Sequence, residues 1–373
     1  MKIKLLTILI CSVASSAVFA SCSGRPVGET EQQTEPAVTT SETTAEETYE
    51  FIFDTPTPTP EPTPGPDTVA PFFMNINRDA WVALGEEFDI NSFVSYIDNV
   101  DSDVDLVVDG AINTSQTGSY PLTLTITDDE GNSTSDSINV TVYEPSDPGS
   151  GDGNTGTTTA NATAFADFMA AYPGDSVHYG IDVSKWQGSI DWQQVADAGC
   201  EFAFIRAGWS SGGEFHEDEY FEANMAGANA AGIPVGVYVY TTDNTEEDVI
   251  ALADLMCDLV ADYQVDLPIV FDWENFFSNF QKYKLSIIDI NNLYDAFEAE
   301  VESRGYSSMI YGSKFIFDII WDDDIENVWL AHYTSQTDYD GNYAFWQQSC
   351  TGSVPGIDAY VDMNLCFGNL PTG

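Results

Sequence analysis

The feature that most constrains the fold is an alternation of short apolar runs and longer amphipathic segments that begins at residue 178. The apolar runs lie at 179–183, 202–206, 235–240 and 268–273. The segments with helical spacing lie at 191–199, 217–231, 245–262 and 286–304. Strands that alternate with helices of this length form parallel βα units. The pattern therefore predicts an α/β domain, with a β/α barrel over residues 161–373.

The last third of this region departs from the alternation. Four further apolar runs follow at 308–312, 328–332, 344–347 and 360–364. The spacing after the first of them is too short for full crossover helices. We therefore expect a barrel that becomes irregular towards its end.

Residues 67–143 have a different pattern. Segments such as "YPLTLTITDD" and "DSINVTVYE" are rich in β-branched and aromatic residues, and turn sequences separate them, which predicts an antiparallel β-sandwich. The stretch "GSYPLTLTITDDEGNSTSDSINVTV" resembles the last strands of bacterial immunoglobulin-like surface modules, and this resemblance implies a spacer or an adhesive unit. The stretch "DNVDSDVD" carries carboxylates of the kind that bind Ca²⁺. Its spacing matches no defined calcium loop, so a plain acidic loop is the simpler interpretation.

The N-terminal region predicts export. A basic start precedes the apolar stretch "LLTILICSVASSAVFA", as in a secretory signal peptide over residues 1–21. Small residues directly before Cys22 resemble a bacterial lipoprotein cleavage site, which implies a lipid anchor on Cys22; simple secretion after Ala20 is the alternative. Residues 22–66, which include "TPTPTPEPTPGP", are expected to form an extended Thr/Glu/Pro-rich linker, and residues 144–160 a flexible one.

Composition limits the partners. The formal net charge is −51, with only 10 basic residues. Nucleic acid is excluded as a partner because phosphate binding needs clustered Lys and Arg, and an anionic membrane surface is disfavoured for the same reason. Contact with a membrane is therefore expected only through the lipid anchor. We expect a monomer that needs no metal and no cofactor.

Four cysteines fall in the C-terminal region. Cys350 and Cys366 flank a short turn-rich loop, so a Cys350–Cys366 disulfide is the favoured pairing in an exported chain. Free buried thiols, Cys200 and Cys257 included, are the alternative. No CxxC spacing is present that would indicate a structural zinc site.

Carboxylates and aromatic rings gather where the predicted barrel strands end, and this is the face on which barrel enzymes carry their catalytic groups. The acids at these ends are Asp182, Asp272, Glu274 and Asp362. The aromatic residues expected to face the cleft are Trp209, Tyr240 and Trp346. Acids that cleave a glycosidic bond, together with rings that stack on sugars, predict a carbohydrate-active site.

The segment "PIVFDWEN" contains the two central acids. Residues i and i+2 of a strand point to the same side, so Asp272 and Glu274 share one face and Trp273 points away. Two neighbouring carboxylates repel, and one of them keeps its proton to a higher pH. By itself the pair is equally compatible with two chance acids in a very acidic chain.

The wider pattern favours an enzyme. The segments "YGIDVSKWQGSIDW", "FAFIRAG", "AGIPVGVYVY", "PIVFDWEN", "VWLAHY", "FWQQS" and "GIDAYVDMNL" resemble, in order and spacing, the glycoside hydrolase family 25 lysozymes. The resemblance covers residues 178–367. It implies an irregular β/α barrel and hydrolysis of the β-1,4 bond between N-acetylmuramic acid and N-acetylglucosamine in peptidoglycan.

The same resemblance implies residue roles. Glu274 matches the proton donor, Asp272 the second carboxylate, and Asp182 and Asp362 the acids that flank the site. Tyr311 and Trp329 lie in segments similar to those that line the cleft. Asp272 is expected either to stabilise the oxocarbenium-like state or to orient the 2-acetamido group of the substrate.

The roles of four residues in the predicted site, and the function of the chain, each have an alternative interpretation. Asp182 and Asp362 either raise the proton affinity of Glu274 or are structural acids. Arg206 fits a salt-bridge partner of the site acids better than a substrate clamp, and His332 fits a hydrogen-bonded polar group better than a base. A barrel hydrolase acting on another N-acetylglucosamine glycan and a non-catalytic glycan-binding adhesin are the alternative functions.

Overall fold

The N-terminal part of the fold consists of two small sheets, as the alternating pattern predicts. The computed structural model describes residues 65–144, 162–274 and 276–370. The predicted signal peptide, the Cys22 anchor and nearly all of both predicted linkers lie outside these ranges. The six strands of the first region are β1 (Phe72–Ile76), β2 (Asp79–Ala83), β3 (Val94–Ile97), β4 (Asp105–Asp109), β5 (Gly118–Thr127) and β6 (Ser133–Tyr143).

These strands form a sandwich with its own core. β1 and β3 pair antiparallel, and the second sheet has the order β2-β6-β5-β4. All pairs of the second sheet are antiparallel except β2–β6, which is parallel. Alternate residues of β5 and β6, such as Leu124 and Val140, are fully buried between the sheets, so one face of each strand forms the core.

The C-terminal region forms a closed eight-stranded barrel. Its barrel strands are β8 (Val177–Val183), β9 (Phe202–Ser211), β11 (Val235–Thr241), β12 (Ile269–Trp273), β13 (Ser308–Ser313), β14 (Val328–Ala331), β15 (Phe345–Ser353) and β16 (Val361–Phe367). Parallel pairing runs from β8 through β9, β11, β12, β13 and β14 to β15. β16 closes the barrel by pairing antiparallel with both β15 and β8.

Helices cover the barrel where the sequence predicts them. They are α1 (Phe165–Ala171), α2 (Trp192–Asp197), α3 (Phe221–Ala231), α4 (Glu246–Val260), α5 (Phe276–Tyr283), α6 (Ile287–Ser303) and α7 (Lys314–Phe317). α4 and α6 pack side by side against the outer face of the sheet. None of the helices that the structure describes is both long enough and apolar enough to cross a bilayer.

In the C-terminal region, β7, β10, α5 and the short helix α7 are absent from the predicted pattern. β7 (Thr163–Ala164) pairs with the end of β15, and β10 (Glu214–Glu217) forms a hairpin with β9. The turn of this hairpin is Gly212–Gly213, with φ of 61° and 75°, a conformation that favours glycine. Because β10 takes up these residues, α3 begins at Phe221 and not at residue 217. The helix α5 directly follows the central acids.

The two regions pack against each other. Met74 and Ile97 of the sandwich belong to the same buried cluster as the apolar side chains around the barrel. The backbone carbonyls of Asp98 and Asn99 accept hydrogen bonds from the N–H groups of Ile287 and Ile288, at 3.0 and 3.1 Å. The sandwich therefore satisfies part of the N-terminus of α6, which lies close in sequence to the central acids.

The predicted Cys350–Cys366 disulfide is wrong in this structure. None of the four C-terminal cysteines forms a disulfide within the residues that the structure describes. Phe345 is the strand partner of Cys366, while the neighbours of Cys350, Ser349 and Gly352, pair with Met363 and Val361. The two cysteines are thus about four residues out of register, roughly 13 Å along the strand, whereas a disulfide needs Cα atoms within about 7 Å.

Candidate active site

The ends of the barrel strands surround a cleft with a cavity volume of about 240 Å³. All four acids predicted for the site line it, from β8, from β12 and the residue after it, and from β16. A larger cavity of about 720 Å³ lies beside α2 and α3. One of its acids, Asp191, is engaged in capping the N-terminus of α2, so the smaller cleft is the better candidate for chemistry.

Asp272 and Glu274 form a hydrogen-bonded carboxyl pair. Burial raises the pKa of both groups, and the charge of Glu274 raises the pKa of Asp272 further. A direct hydrogen bond between two carboxyl groups requires a proton on one of them. The pair therefore holds one proton at a pH where isolated carboxylates have lost theirs.

Trp273 lies on the other side of the strand, as predicted. It is fully buried in the outer layer, and its Nε1 donates to the carbonyl of Asp243 at 2.9 Å. Phe276 and Phe280 of α5 pack on its ring, with centroids 4.9 and 5.6 Å away. This packing fixes the end of β12 and so the direction in which the acid pair points.

Asp182 is buried beside the pair and is held by two amide donors. Its Oδ2 accepts from Gln347 Nε2 at 2.9 Å and from Asn364 Nδ2 at 2.8 Å. Burial nevertheless raises the pKa of Asp182 to about 6, because two neutral donors do not replace full hydration. Its charge in turn raises the pKa of Asp272.

Asp362 is the strand partner of Asp182 in the antiparallel β16–β8 pair. Burial raises its pKa, and the charge of Asp182 adds to this effect. The cleft thus collects four carboxyl groups whose pKa values are all raised. Perturbed acids clustered in a cleft are a common property of catalytic sites.

The predicted aromatic residues divide into three groups. Tyr240, Tyr311 and Trp329 line the cleft, with Trp329 as a buried wall whose Nε1 donates to Asn364 Oδ1 at 2.8 Å. Trp209 is 41% exposed and stacks on His216 outside the cleft lining. Trp346 is buried in the outer layer, where its Nε1 donates to the carbonyl of His332. Strand alternation explains Trp346, because its neighbour Gln347 is the residue that points inward.

The structure adds residues to the cleft lining beyond the predicted catalytic and substrate-binding residues. They are Ser184, Trp186, Gln187, Tyr238, Tyr333 and Gln347. Gln347 is central, since its Oε1 accepts from the hydroxyls of Tyr311 and Tyr333, each at 2.8 Å, while its Nε2 binds Asp182. The strand-end position of Gln347 was the available signal, although the run "FWQQ" does not show whether Trp346 or Gln347 points inward. Trp186 is 60% exposed at the cleft edge.

Arg206 and His332 behave largely as structural groups. Arg206 lines the cleft but forms its ion pair with buried Asp218, at 2.6 Å, and not with the four site acids. Its charge still lowers the pKa of Asp272. His332 Nδ1 is hydrogen-bonded to Thr337 Oγ1 at 2.9 Å, which agrees with the interpretation of a satisfied polar group.

Comparisons with known proteins match both regions. The family model described as glycosyl hydrolases family 25 matches residues 181–357. "Lysozyme M1" of Streptomyces globisporus is 32% identical over 203 residues, which are 51% of this chain and 68% of that protein. The uncharacterized protein YegX of Escherichia coli is 33% identical over 220 residues, 54% of this chain and 74% of that one. The chain belongs to glycosyl hydrolase family 25.

Two further similarities accompany this membership of family 25. The model described as bacterial surface protein, Ig-like domain, matches residues 74–142, which are the sandwich strands. A bacterial lysozyme structure from Streptomyces coelicolor is 30% identical, covers 52% of this chain and 94% of its own, and has a TM-score of 0.43. The family match contains Asp182, Asp272 and Glu274, while Asp362 lies just beyond its end.

Proposed function

We propose that this family 25 enzyme is a muramidase that hydrolyses the β-1,4 bond between N-acetylmuramic acid and N-acetylglucosamine in peptidoglycan. The observation that carries the proposal is the hydrogen-bonded pair of Asp272 and Glu274 in the cleft at the ends of the barrel strands. Glycoside hydrolysis needs one proton to release the leaving oxygen and one negative charge to balance the cationic transition state. A carboxyl pair that holds one proton supplies both.

Glu274 is the proton donor in this mechanism. Its side chain is less enclosed than that of Asp272, which is 6% exposed. Because Glu274 lies past the end of β12, it reaches a glycosidic oxygen in the cleft more readily than Asp272 does. When Glu274 gives its proton to the leaving oxygen, both groups of the pair become carboxylates, and their negative charge faces the cationic transition state.

Asp272 is the group that orients the substrate in this mechanism. Its Oδ1 is buried and accepts no hydrogen bond within the part of the chain that the structure describes. A buried acceptor without a donor favours binding of an N–H group. The 2-acetamido N–H of the substrate is such a donor, and orienting it would direct the acetamido oxygen to the anomeric carbon.

The closeness of the pair bears on stereochemistry. Inverting glycosidases keep their carboxyl groups about 6.5–9.5 Å apart to admit a water molecule. A direct hydrogen bond between Asp272 and Glu274 leaves no room for that water. The geometry therefore supports retention of configuration, with Asp272 as acetamido guide or as electrostatic stabiliser.

The other cleft residues hold the pair and the sugar. The negative charge of Asp182 keeps the proton affinity of the site high, because it raises the pKa of Asp272 and of Asp362. Tyr240, Tyr311 and exposed Trp186 offer rings on which pyranose faces can stack. The cleft needs neither a metal nor a cofactor for this chemistry.

The remaining parts of the chain fit work outside the cell. We propose that the Ig-like sandwich spaces or positions the barrel at the cell surface, and that the lipid anchor on Cys22, when present, is the chain's contact with the membrane. Secretion without an anchor is the other route to the same substrate. Peptidoglycan glycan strands are the partner in both cases.

Mass spectrometry of borohydride-reduced peptidoglycan digests tests the proposed bond. Reduced ends on muramic acid are expected with the native enzyme, and none above background with Glu274→Gln. Reduced ends on glucosamine would instead identify a hydrolase for the other bond. Binding to peptidoglycan without any new reducing end would identify an adhesin.

A further inference from the structure

A second group of acids lies at the junction between the sandwich and the barrel. Asp67, Asp98 and Asp101 each place a carboxylate oxygen within 4.8 Å of the other two. We call these three residues the loop acids. Asp101 also belongs to a second trio with Asp128 and Glu130. The loop acids come from the entry segment before β1 and from the loop between β3 and β4.

Oxygens of this group are buried without a hydrogen bond. They are Asp67 Oδ2, Asp98 Oδ2, Asn99 Oδ1 and Asp101 Oδ2. Asp98 is fully buried, at 0% exposed. A buried carboxylate oxygen without a donor is costly, by about 1–3 kcal/mol or more. Three such carboxylate oxygens on acids that lie within 4.8 Å of one another indicate a missing positive partner.

The remaining oxygens are already used to hold the loop in shape. Asp98 Oδ1 accepts from the N–H groups of Val100 and Asp101, both at 2.9 Å. Asp67 Oδ1 accepts from the N–H of Val69 at 3.0 Å and from Asn99 Nδ2 at 3.4 Å. These bonds aim the other oxygen of each carboxylate inward. The backbone bonds therefore hold Asp67 and Asp98 in place where their carboxylates lie beside that of Asp101.

No basic side chain of the described ranges forms an ion pair with the loop acids. Lys284, on the barrel side of the junction, pairs with exposed Asp103 at 2.7 Å. Within the described ranges the loop acids therefore lie together without a positively charged partner.

We propose that the loop acids, with Asn99 Oδ1, bind one Ca²⁺ ion that joins the entry segment of the sandwich to the loop that contacts α6. Ca²⁺ takes six to eight oxygen ligands in flexible geometry, and carboxylate and amide oxygens from irregular loops suit it. Mg²⁺ fits less well, because it requires near-ideal octahedral geometry and keeps several of its waters. The site lies outside the catalytic cleft and is independent of the proposed reaction.

The inference revises the expectation that the chain needs no metal. The sequence pattern did not reveal the site because its ligands do not follow one loop: Asp67 precedes the first strand and the other two acids follow the third. Only the fold brings them together. The stretch "DNVDSDVD" contains two of the three acids, and its spacing alone fits no calcium loop.

Calorimetric titration of the full chain with CaCl₂ tests the proposal. The protein is first treated with EDTA and then dialysed into 150 mM NaCl, which screens weak surface binding. We expect saturable binding of one ion per chain with a Kd below about 1 mM, the range of extracellular calcium modules. Saturating Ca²⁺ should raise the Tm by roughly 5 °C, and Mg²⁺ at the same concentration by less.

Two substitutions and one control make the test specific. Asp98→Asn keeps the acceptor for Val100 and Asp101 but removes the charge, and Asp101→Asn removes a second ligand. Each should weaken Ca²⁺ binding at least about tenfold. Asp129→Asn removes the same charge next to Asp128 and should bind as the native chain does.

The melting temperatures of the variants in EDTA show whether the variants fold. In EDTA, Asp98→Asn should melt at or above the native Tm, since it relieves repulsion. A lower Tm in EDTA would show that Asp98 is a structural acid and would overturn the proposal. Non-saturable binding, equal effects of Mg²⁺ and Ca²⁺, or unchanged Ca²⁺ affinity in both variants would overturn it as well.

Discussion

The carboxylates of the catalytic cleft and the loop acids at the junction are buried with different partners. In the cleft, Asp182 is held by two amide donors and Asp272 shares a proton with Glu274. At the junction, the loop acids leave their inward oxygens without donors. In the cleft, neutral donors and a retained proton lower the energetic cost of burying the acids. At the junction, neutral donors satisfy only one oxygen of Asp67 and of Asp98, and the other oxygens lack a donor, which is why we assign a metal ion there.

The difference follows from the elements that carry the acids. Barrel strands fix side-chain direction by register, so Gln347 and Asn364 on β15 and β16 can be placed against Asp182 on β8. Loops give short, converging backbone turns, which are suited to wrapping an ion. Acids on strands are therefore poised for proton chemistry, and acids on loops are poised for a cation.

Removing the proton that Asp272 and Glu274 share should have the largest effect, a loss of catalytic activity. Glu274→Gln removes the proton donor while keeping size and polarity, and we expect kcat on peptidoglycan to fall by about 10²–10⁴-fold. Turbidity clearing of cell walls measures the loss. The matched control is Glu298→Gln, a partly buried glutamate that accepts from Tyr294 at 2.8 Å outside the cleft. An active Glu274→Gln variant would remove the assignment of Glu274 and place the donor elsewhere in the cleft.

The second largest effect is expected at Gln347, whose side-chain amide supports the cleft acids. Gln347→Leu leaves Asp182, Tyr311 and Tyr333 without their shared partner, and we expect a loss of roughly 2–4 kcal/mol in the free energy of unfolding. Urea denaturation measures it. Gln348→Leu is the control, because the neighbouring residue makes one hydrogen bond, to the carbonyl of Thr334. Equal losses in the two variants would mean that Gln347 does not organise the cleft.

The parts of the fold that could be predicted are those encoded locally. Apolar runs and helical spacing located the eight barrel strands, the four long helix segments and the direction of Trp273, because strand and helix periods determine which residues are buried. The shared face of Asp272 and Glu274 followed from the same period of two.

The parts that could not be predicted depend on long-range register. Cys350 and Cys366 are near in sequence, but the β15–β16 pairing keeps them out of register. Gln347, and not Trp346, faces the cleft, a choice set by pairing with β16 and invisible in the run "FWQQ". The loop acids are separated by the whole of β1, β2 and β3 and meet only in the folded chain.

Removing the charge of Asp182 should change how the free energy of unfolding depends on pH. Burial raises the pKa of Asp182 from 3.8 to about 6, so the folded state binds the proton more tightly than the unfolded state. The stability that this tight binding provides is complete below about pH 4 and is lost as the pH rises through about 6, roughly 3 kcal/mol in total. Asp182→Asn has no such loss.

We expect the difference in stability between Asp182→Asn and the native chain to depend on pH. Asp182→Asn should match the native chain near pH 4 and be more stable by up to roughly 3 kcal/mol at pH 7.5, in urea denaturation followed by tryptophan fluorescence. Its activity should fall, since the acid pair loses a neighbouring charge. A variant less stable than the native chain at both pH values would show that the amide bonds of Asp182, and not its charge, dominate its role.

The smallest effect on stability is expected from the ion pair between Lys284 and Asp103 at the junction. Lys284 and Asp103 are 62% and 71% exposed, and exposed pairs contribute at most about 1 kcal/mol. Lys284→Gln should therefore change the Tm by no more than about 2 °C and leave Ca²⁺ binding unchanged. Thermal melts with Ca²⁺ and with EDTA measure both effects in one experiment. If Lys284→Gln instead abolished the Ca²⁺-dependent shift, the ammonium group would be part of what holds the loop acids in place, and the contrast between a proton-regulated cleft and a cation-regulated junction would no longer hold.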